Sequence, residues 1–183
     1  FKIASCSCTE WILLKEVIKT GKHVTISTGG RNLKEIDNIY SYFAHKIPNK
    51  FTIMHCCGIY PAPEEDLNLI TIETFRNRYP LASIGYSGHE DPNNHSVSSI
   101  ALALGAIAIE RHIGKKDLEN DIDINAYSIN SNSISRWLLE LSKTITMMGR
   151  SKDYFYKNKV ELKSLESLQR GVFVIEDIKK GSE

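Results

Sequence analysis

The feature that most constrains the fold is a repeated alternation of short strand-like runs with longer segments of helical period. Lys2 to Ser5 reads as a short strand. Thr9 can then cap a helix to Thr20, with Trp11, Leu14 and Ile18 on one face and Gly21 just past its end. Val24 to Thr28 is a second strand, ended by Gly29-Gly30. Asn32 and Glu35 form a capping-box pattern ahead of Leu33, Ile36, Tyr40 and Phe43 at helical spacing. Phe51 to Cys56 is a third strand, followed by an extended Pro61-Ala62-Pro63 loop and a helix over Asp66 to Arg78. Ala82 to Ser87 is a fourth strand, and Asn94 to Leu104 is a helix stopped by Gly105. Ile107 to His112 is a fifth strand. A loop of roughly 20 residues comes next, long enough to point to function. The last strong helix is Ser133 to Met148, closed by Gly149, with Ile134, Trp137, Leu138, Leu141, Ile145 and Met148 as its apolar stripe.

Strands separated by helices run parallel, and parallel strands need both faces covered. An open doubly wound sheet and part of a (β/α)8 barrel both meet that demand. No G-x-G-x-x-G follows a strand, which weakens the dinucleotide-binding sheet. Strand polarity favours the barrel. In the fifth strand Ile107 and Ile109 face one way, whereas Ala108, Glu110 and His112 face the other. In the second, Thr25 and Ser27 oppose Val24 and Ile26. An apolar outer face and a polar inner face fit a cylinder packed by helices outside, while an open sheet prefers apolar residues on both faces.

His89 and His112 each close a strand, in Gly85-Tyr86-Ser87-Gly88-His89 and Ile109-Glu110-Arg111-His112. In a parallel barrel the carboxyl ends of the strands build the active site. Neutral imidazole is the commonest protein ligand for a catalytic divalent metal, so the pair points to a metal-dependent enzyme. The alternative is two hydrogen-bonded strand-end histidines. His23, His45, His55 and His95 carry no comparable argument.

With 23 Lys and Arg against 22 Asp and Glu, the net charge of +1 gives no reason to expect nucleic acid or an anionic membrane as partner. No apolar run is long enough for a membrane span, and no signal peptide is visible. Cys6, Cys8, Cys56 and Cys57 lack both a secreted disulfide pattern and the usual zinc-knuckle spacing. They read as reduced cysteines at strand ends, and the expected location is cytoplasmic. The chain opens at Phe1 inside a strand-like run and ends at Glu183 just after a new segment begins, so it reads as a fragment that is inactive alone, with an exposed edge strand and an unclosed core. Residues 1–150 form the barrel part and 151–168, rich in lysine, a linker. Gly171 to Ile175 looks like the first strand of another small domain, placed at 169–183.

The chain resembles the sialic acid synthase family, whose members condense phosphoenolpyruvate with an amino sugar. The resemblance rests on the order and spacing of several strings: Lys2-Ile3-Ala4-Ser5, Ile26-Ser27-Thr28-Gly29, His55-Cys56 with Tyr60-Pro61-Ala62-Pro63, Gly85-Tyr86-Ser87-Gly88-His89, Ala103-Leu104-Gly105-Ala106, Ile109-Glu110-Arg111-His112 and Asp177-Ile178-Lys179-Lys180-Gly181. It implies strands four to eight of the barrel, then the linker and the opening strand of an antifreeze-like (SAF) domain. It also implies that His89 and His112 hold Mn²⁺ or Mg²⁺, a Lewis acid toward the aldehyde of the open-chain sugar. Lys2, Ser5, Ser27 and Ser87 match positions around phosphoenolpyruvate. A lysine and short hydroxyl donors suit its phosphate and carboxylate. Tyr60 matches a residue near the sugar. The expected partners are phosphoenolpyruvate and N-acetylmannosamine or a derivative, and the full-length protein is expected to be a homodimer.

Three departures from the family pattern bear on the acceptor sugar. Cys6-Ser7 stands where Gly-Glu is usual, Gly58 stands where an Asn precedes the Tyr-Pro motif, and Asp121 to Ser128 replaces a Gly-Pro-Asp-His loop. Within that loop Asp123 is the candidate for the catalytic aspartate beside Lys2. The expected reaction yields a nine-carbon 2-keto sugar acid and phosphate. The alternatives are a noncatalytic sugar- or phosphate-binding relative and another barrel metalloenzyme, such as a hydrolase.

Overall fold

The computed structural model describes residues 1–116, 118–149 and 158–182. The chain divides into two units, Phe1–Met148 and Gly149–Glu183.

The first unit is built on a parallel sheet of five strands in sequential order: β1 (Lys2–Ile3), β2 (Val24–Ser27), β3 (Phe51–Cys56), β4 (Ser83–Gly88) and β5 (Ala108–Arg111). Helices α1 (Trp11–Lys19), α2 (Leu33–Lys46), α3 (Thr71–Arg78) and α4 (His95–Ala103) connect them. Strand order that never reverses is the order of a barrel wall, and the sheet is a half-barrel. The register pairs Lys2 with Thr25, Ser27 with Met54, Cys56 with Ser87, and Ser87 with Glu110. Beyond β5, β6 (Ile113–Gly114) pairs in parallel with β7 (Ile129–Asn130), tying down both ends of the long loop. Helix α5 (Ser131–Met148) follows.

The two faces of the sheet differ as the alternation requires. Ile3, Val24, Ile26, Phe51, Ile53, Ile84 and Tyr86 join Leu14, Ile36, Ile39, Phe43, Ile72 and Phe75 of the helices in one buried core. Phe43 and Phe51 stack with centroids 5.5 Å apart, and Tyr40 and Tyr79 at 4.7 Å. Truncating a ring as fully buried as Phe43 removes about 3–5 kcal/mol of stability. At the edge of this cluster Arg78 grips both carboxylate oxygens of Asp37 at 2.7 Å, and the Tyr79 hydroxyl donates to Asp37 at 2.9 Å.

Helix α2 begins with the anticipated capping box: the Glu35 amide donates to Asn32 Oδ1 at 3.0 Å, and the Asn32 amide to Glu35 Oε2 at 2.9 Å. Other ends differ from the sequence reading. Thr9 does not cap α1. Ser5–Ser7 forms a 3-10 turn, and the helix starts after Glu10 without a side-chain cap. Trp11 is exposed, and α1 buries Leu14 and Val17 instead. The helix expected from Asp66 is split into a 3-10 turn at Glu64–Asp66 and α3, because Asn68 takes a left-handed conformation between them. Helix α5 starts two residues earlier than its period indicates. It docks on α4 through Trp137, whose indole donates to Ser98 Oγ at 3.1 Å, and Thr144, which bonds Ser99 Oγ at 2.8 Å. Leu138 and Ile145 of the anticipated stripe stay exposed. Among the described residues, no helix is long and apolar enough to cross a membrane.

In the second unit, residues 151–157 of the expected linker lie outside the described residues. The rest holds α6 (Lys159–Glu166), capped by the Asn158 side chain accepting from the Val160 amide at 2.9 Å. Gly171 to Ile175 is not a strand: Val172, Phe173 and Ile175 are exposed, and no described segment of the unit pairs with them. A β-propensity run without a partner has nowhere to place its ladder hydrogen bonds.

Candidate active site

The carboxyl ends of the five strands surround one cavity of 220 Å³, lined by Lys2, Ala4, Ser5, Ser27, Cys56, Tyr60, Ser87, His89, Glu110 and His112. Strand polarity puts them there. Residues 27, 56, 87 and 110 sit on the face opposite the helix-packed Ile26, Ile53, Tyr86 and Ile109, so the sheet's polar face becomes the cavity wall. Lys2, Ser5, Ser27, Tyr60, Ser87, His89 and His112, drawn from five separate stretches of sequence, thus meet in one place.

Lys2 is held at its head. Its Nζ lies 2.9 Å from Ser27 Oγ and 2.9 Å from Glu110 Oε1, and Ser87 Oγ donates to the same Glu110 oxygen at 3.2 Å. A lysine, a carboxylate and two hydroxyls form a polar strip across β1, β2, β4 and β5. Ser5 Oγ accepts from the Gly29 amide at 2.9 Å and approaches Cys56 Sγ. Glycine at position 29 eases this close approach, since a Cβ there would lie 3.0 Å from Ser5 Oγ and 3.1 Å from Cys56 Sγ. Burial pushes the Cys56 thiol up, so it stays protonated.

The two imidazoles adjoin each other, with ring centroids 5.1 Å apart. His89 is buried, and its Nδ1 sits 2.8 Å from the Cys57 carbonyl oxygen. A carbonyl only accepts, so Nδ1 carries the proton and Nε2 keeps its lone pair. Burial, offset in part by that hydrogen bond, holds the ring below the ordinary histidine range and therefore neutral. Tyr60 stacks on His89 at 4.1 Å, and Tyr127 meets Tyr60 and His112 at 5.1 Å each. The Ala62 amide donates to the His89 carbonyl at 2.9 Å, pinning the Tyr60 loop over the pair.

These donors fit a divalent cation. Two imidazoles that share an ion through one nitrogen each, at about 2.1 Å, hold their centroids roughly 5 Å apart. A ligand histidine also characteristically gives its other N–H to a carbonyl or carboxylate. Among the described residues, no group of three or more His, Cys, Asp and Glu is arranged to hold a metal. The pair alone supplies the protein ligands that can be named.

Asp123 is not part of this cavity. Its carboxylate pairs with Lys116 at 3.0 Å and its side chain is 81% exposed, in the loop between β6 and β7. Glu110 is the carboxylate that lines the cavity, and the alternation within β5 already turned it to the inner face beside His112. Tyr127 gave no signal, because nothing local in the sequence folds its loop back onto the histidines. Gly58 lines a neighbouring cleft of 590 Å³ between the β2–α2 and β3–α3 connections, shared with Arg31, His55 and Asp66. That cleft is larger but contains neither Lys2 nor the histidine pair.

The NeuB family model matches residues 1–153. The chain belongs to the NeuB family. It is 34% identical over 113 residues to human N-acetylneuraminate-9-phosphate synthase, covering 62% of this chain and 31% of that protein. It is 31% identical over 185 residues to N,N'-diacetyllegionaminic acid synthase of Campylobacter jejuni, covering 99% of this chain and 53% of that one. Among solved structures it superposes on a putative spore coat polysaccharide biosynthesis protein E from Chromobacterium violaceum with a TM-score of 0.85 and 39% identity, covering 93% of this chain and 49% of that chain. The matches thus span between 31% and 53% of the length of these relatives.

Proposed function

We propose that the protein containing this chain is a phosphoenolpyruvate-dependent nonulosonic acid synthase. C3 of phosphoenolpyruvate attacks the aldehyde of an open-chain N-acetylated amino sugar. Water adds at C2 and phosphate departs, leaving a nine-carbon 2-keto sugar acid. The observation that carries this reading is the placement of Lys2, Ser27, Ser87 and Glu110 in the same 220 Å³ cavity as His89 and His112.

Each side chain has a part in that reaction. The Lys2 ammonium is the cation for the phosphate or carboxylate, and Ser5, Ser27 and Ser87 give short hydroxyl donors around it. Glu110 fixes the ammonium from the opposite side, so the charge is aimed before substrate arrives. Tyr60, stacked on His89, is the flank against which the sugar lies. His89 and His112 hold Mn²⁺ or Mg²⁺, which when bound supplies Lewis-acid polarisation of the sugar aldehyde. Tyr60 and Tyr127 flank the pair on the side of the mouth, where His89 is buried and His112 is exposed.

The test is phosphate release by the full-length protein with phosphoenolpyruvate, a panel of acetamido sugars including N-acetylmannosamine, and Mn²⁺ before and after chelation. Release that depends on both sugar and Mn²⁺ is expected. No release with any sugar, with Mn²⁺ bound, refutes the catalytic reading. Phosphoenolpyruvate binding without turnover assigns a noncatalytic relative, and failure to bind it assigns different barrel chemistry.

A further inference from the structure

Behind the histidine pair, on the helix-packed side of the sheet, lies a charged cluster that takes no part in the chemistry above. Glu90 and Arg111 form an ion pair through Glu90 Oε1 and Arg111 Nη1, each side chain only 1% exposed. Arg111 Nη2 also donates to the Glu90 backbone carbonyl at 2.7 Å, and the Tyr86 hydroxyl donates to Glu90 Oε2 at 2.8 Å. Glu90 directly follows His89, and Arg111 directly precedes His112. We infer that this cluster is a brace that sets the spacing of the two imidazoles, making Glu90 and Arg111 positioning residues for the cation. This rests on the proposed role of the histidines as its ligands.

The geometry supports a brace over a stabilising contact. Alternation along β5 sends Arg111 to the helix side and His112 to the mouth. A constraint on Arg111 is therefore a constraint on the peptide that carries His112. The guanidinium holds both the carboxylate and the main chain of Glu90, which fixes the exit of β4 just past His89. The last register pair of the sheet is Gly88 with Arg111. Gly88 admits the carboxylate: a Cβ there would lie 2.6 Å from Glu90 Oε2 and 3.0 Å from Oε1. Arg111 Nε is buried and has no partner among the described residues. Among the described residues, the guanidinium is therefore held end-on, by the β4 exit. A buried ion pair is a poor source of net stability, because well-packed apolar replacements are often neutral or better. What this one does supply is a fixed separation between two chain ends that no ladder hydrogen bond joins beyond residue 88.

The experiment titrates Mn²⁺ into the metal-free full-length protein, following free Mn²⁺ by electron paramagnetic resonance. It compares wild type, Glu90→Gln, and the double variant Glu90→Leu with Arg111→Met. The double variant removes both charges together and leaves neither buried alone, so it keeps the test open if the single change fails to fold. Thermal unfolding and phosphoenolpyruvate affinity without metal are measured on each. Both variants are expected to bind Mn²⁺ about 10–100-fold more weakly, with metal-free phosphoenolpyruvate affinity within about twofold of wild type. A merely structural role would move both affinities together or neither. A folded variant that binds Mn²⁺ as tightly as wild type overturns the brace and leaves the synthase reading standing. A wild-type protein that binds no Mn²⁺ at this pair removes the cation reading, and the brace with it.

Discussion

Gly85→Ala places a methyl group where the half-barrel has no room for one. Gly85 lies in the middle of β4, paired with Ala108 of β5. A Cβ built there meets Met54 Sδ at 2.3 Å, Met54 Cε at 3.0 Å and the Ala108 carbonyl oxygen at 2.8 Å. Met54 is flexible, but it is buried, so its retreat displaces other packed atoms. The Ala108 carbonyl belongs to the sheet and cannot retreat without opening the β4–β5 gap. Overpacking of this kind costs about 1–3 kcal/mol. Opposing it, Gly→Ala at a residue with ordinary φ reduces the freedom of the unfolded chain and contributes about 0.4–1 kcal/mol, and Gly85 is not among the glycines with positive φ. The net expectation is a loss of about 1.5 kcal/mol. With a urea slope of about 2.5 kcal/mol/M, the unfolding midpoint of the full-length protein falls by about 0.6 M. Gly58→Ala is the matched control. It is exposed, has no atom within 4 Å of its added Cβ, and also lacks a positive φ, so only the entropic part acts. Its midpoint rises by about 0.2–0.4 M. A Gly85→Ala protein as stable as wild type, or two shifts of the same sign, would refute the packing argument. It would also show that the inner face of the half-barrel is not closed around Met54.

Three further outcomes are expected. Lys2→Met removes the one Lys or Arg among the described residues that line the cavity, so kcat/KM for phosphoenolpyruvate falls about 30–100-fold, the equivalent of about 2–3 kcal/mol of charge-assisted hydrogen bonding; unchanged steady-state kinetics would remove Lys2 from the site. Tyr60→Phe keeps the ring stacked on His89 and stays within about threefold of wild-type kcat/KM, whereas Tyr60→Ala uncovers the histidine and raises the sugar KM about tenfold or more; equal behaviour of the two variants would dismiss the flank. The Arg78 guanidinium, with burial opposing and Tyr79 helping, holds the Asp37 carboxyl below its ordinary range. A depressed carboxylate adds stability above its unfolded pKa and loses it as pH falls through the folded value. The urea-midpoint gap between wild type and Asp37→Asn is therefore constant near neutrality and begins to narrow as pH falls through about 4, and a gap that does not narrow at all below that pH would deny the pairing.

Some parts of the molecule were legible because short-range chemistry decides them. The capping box of Asn32 and Glu35 needs only residues three apart. The outward and inward faces of β2 and β5 follow from the two-residue period of any strand, which is why His112 and Glu110 share a side and Ile109 does not. The split of the Asp66 helix, in contrast, turns on a single left-handed residue, Asn68, that no periodicity marks. The 171–175 run has every local property of a strand and remains unpaired, since a ladder is made by two segments. Glu90 and Arg111 look like ordinary solvated charges beside two histidines, and nothing in their immediate neighbours shows that both side chains are out of water.

The sequence by itself determined the order of strands and helices, the parallel sheet, and the set of polar residues at strand ends, because backbone period and capping are properties of consecutive residues. Only the tertiary structure decided which of those residues meet. It drew Lys2 to Glu110 across the width of the sheet, laid Tyr60 and Tyr127 over the imidazoles, left Asp123 with Lys116 in solvent, and sealed an ion pair behind the two histidines. The physical reason is that strand curvature and crossover packing set distances between segments a hundred residues apart, and the energy of a charge depends on those distances and on the water they exclude.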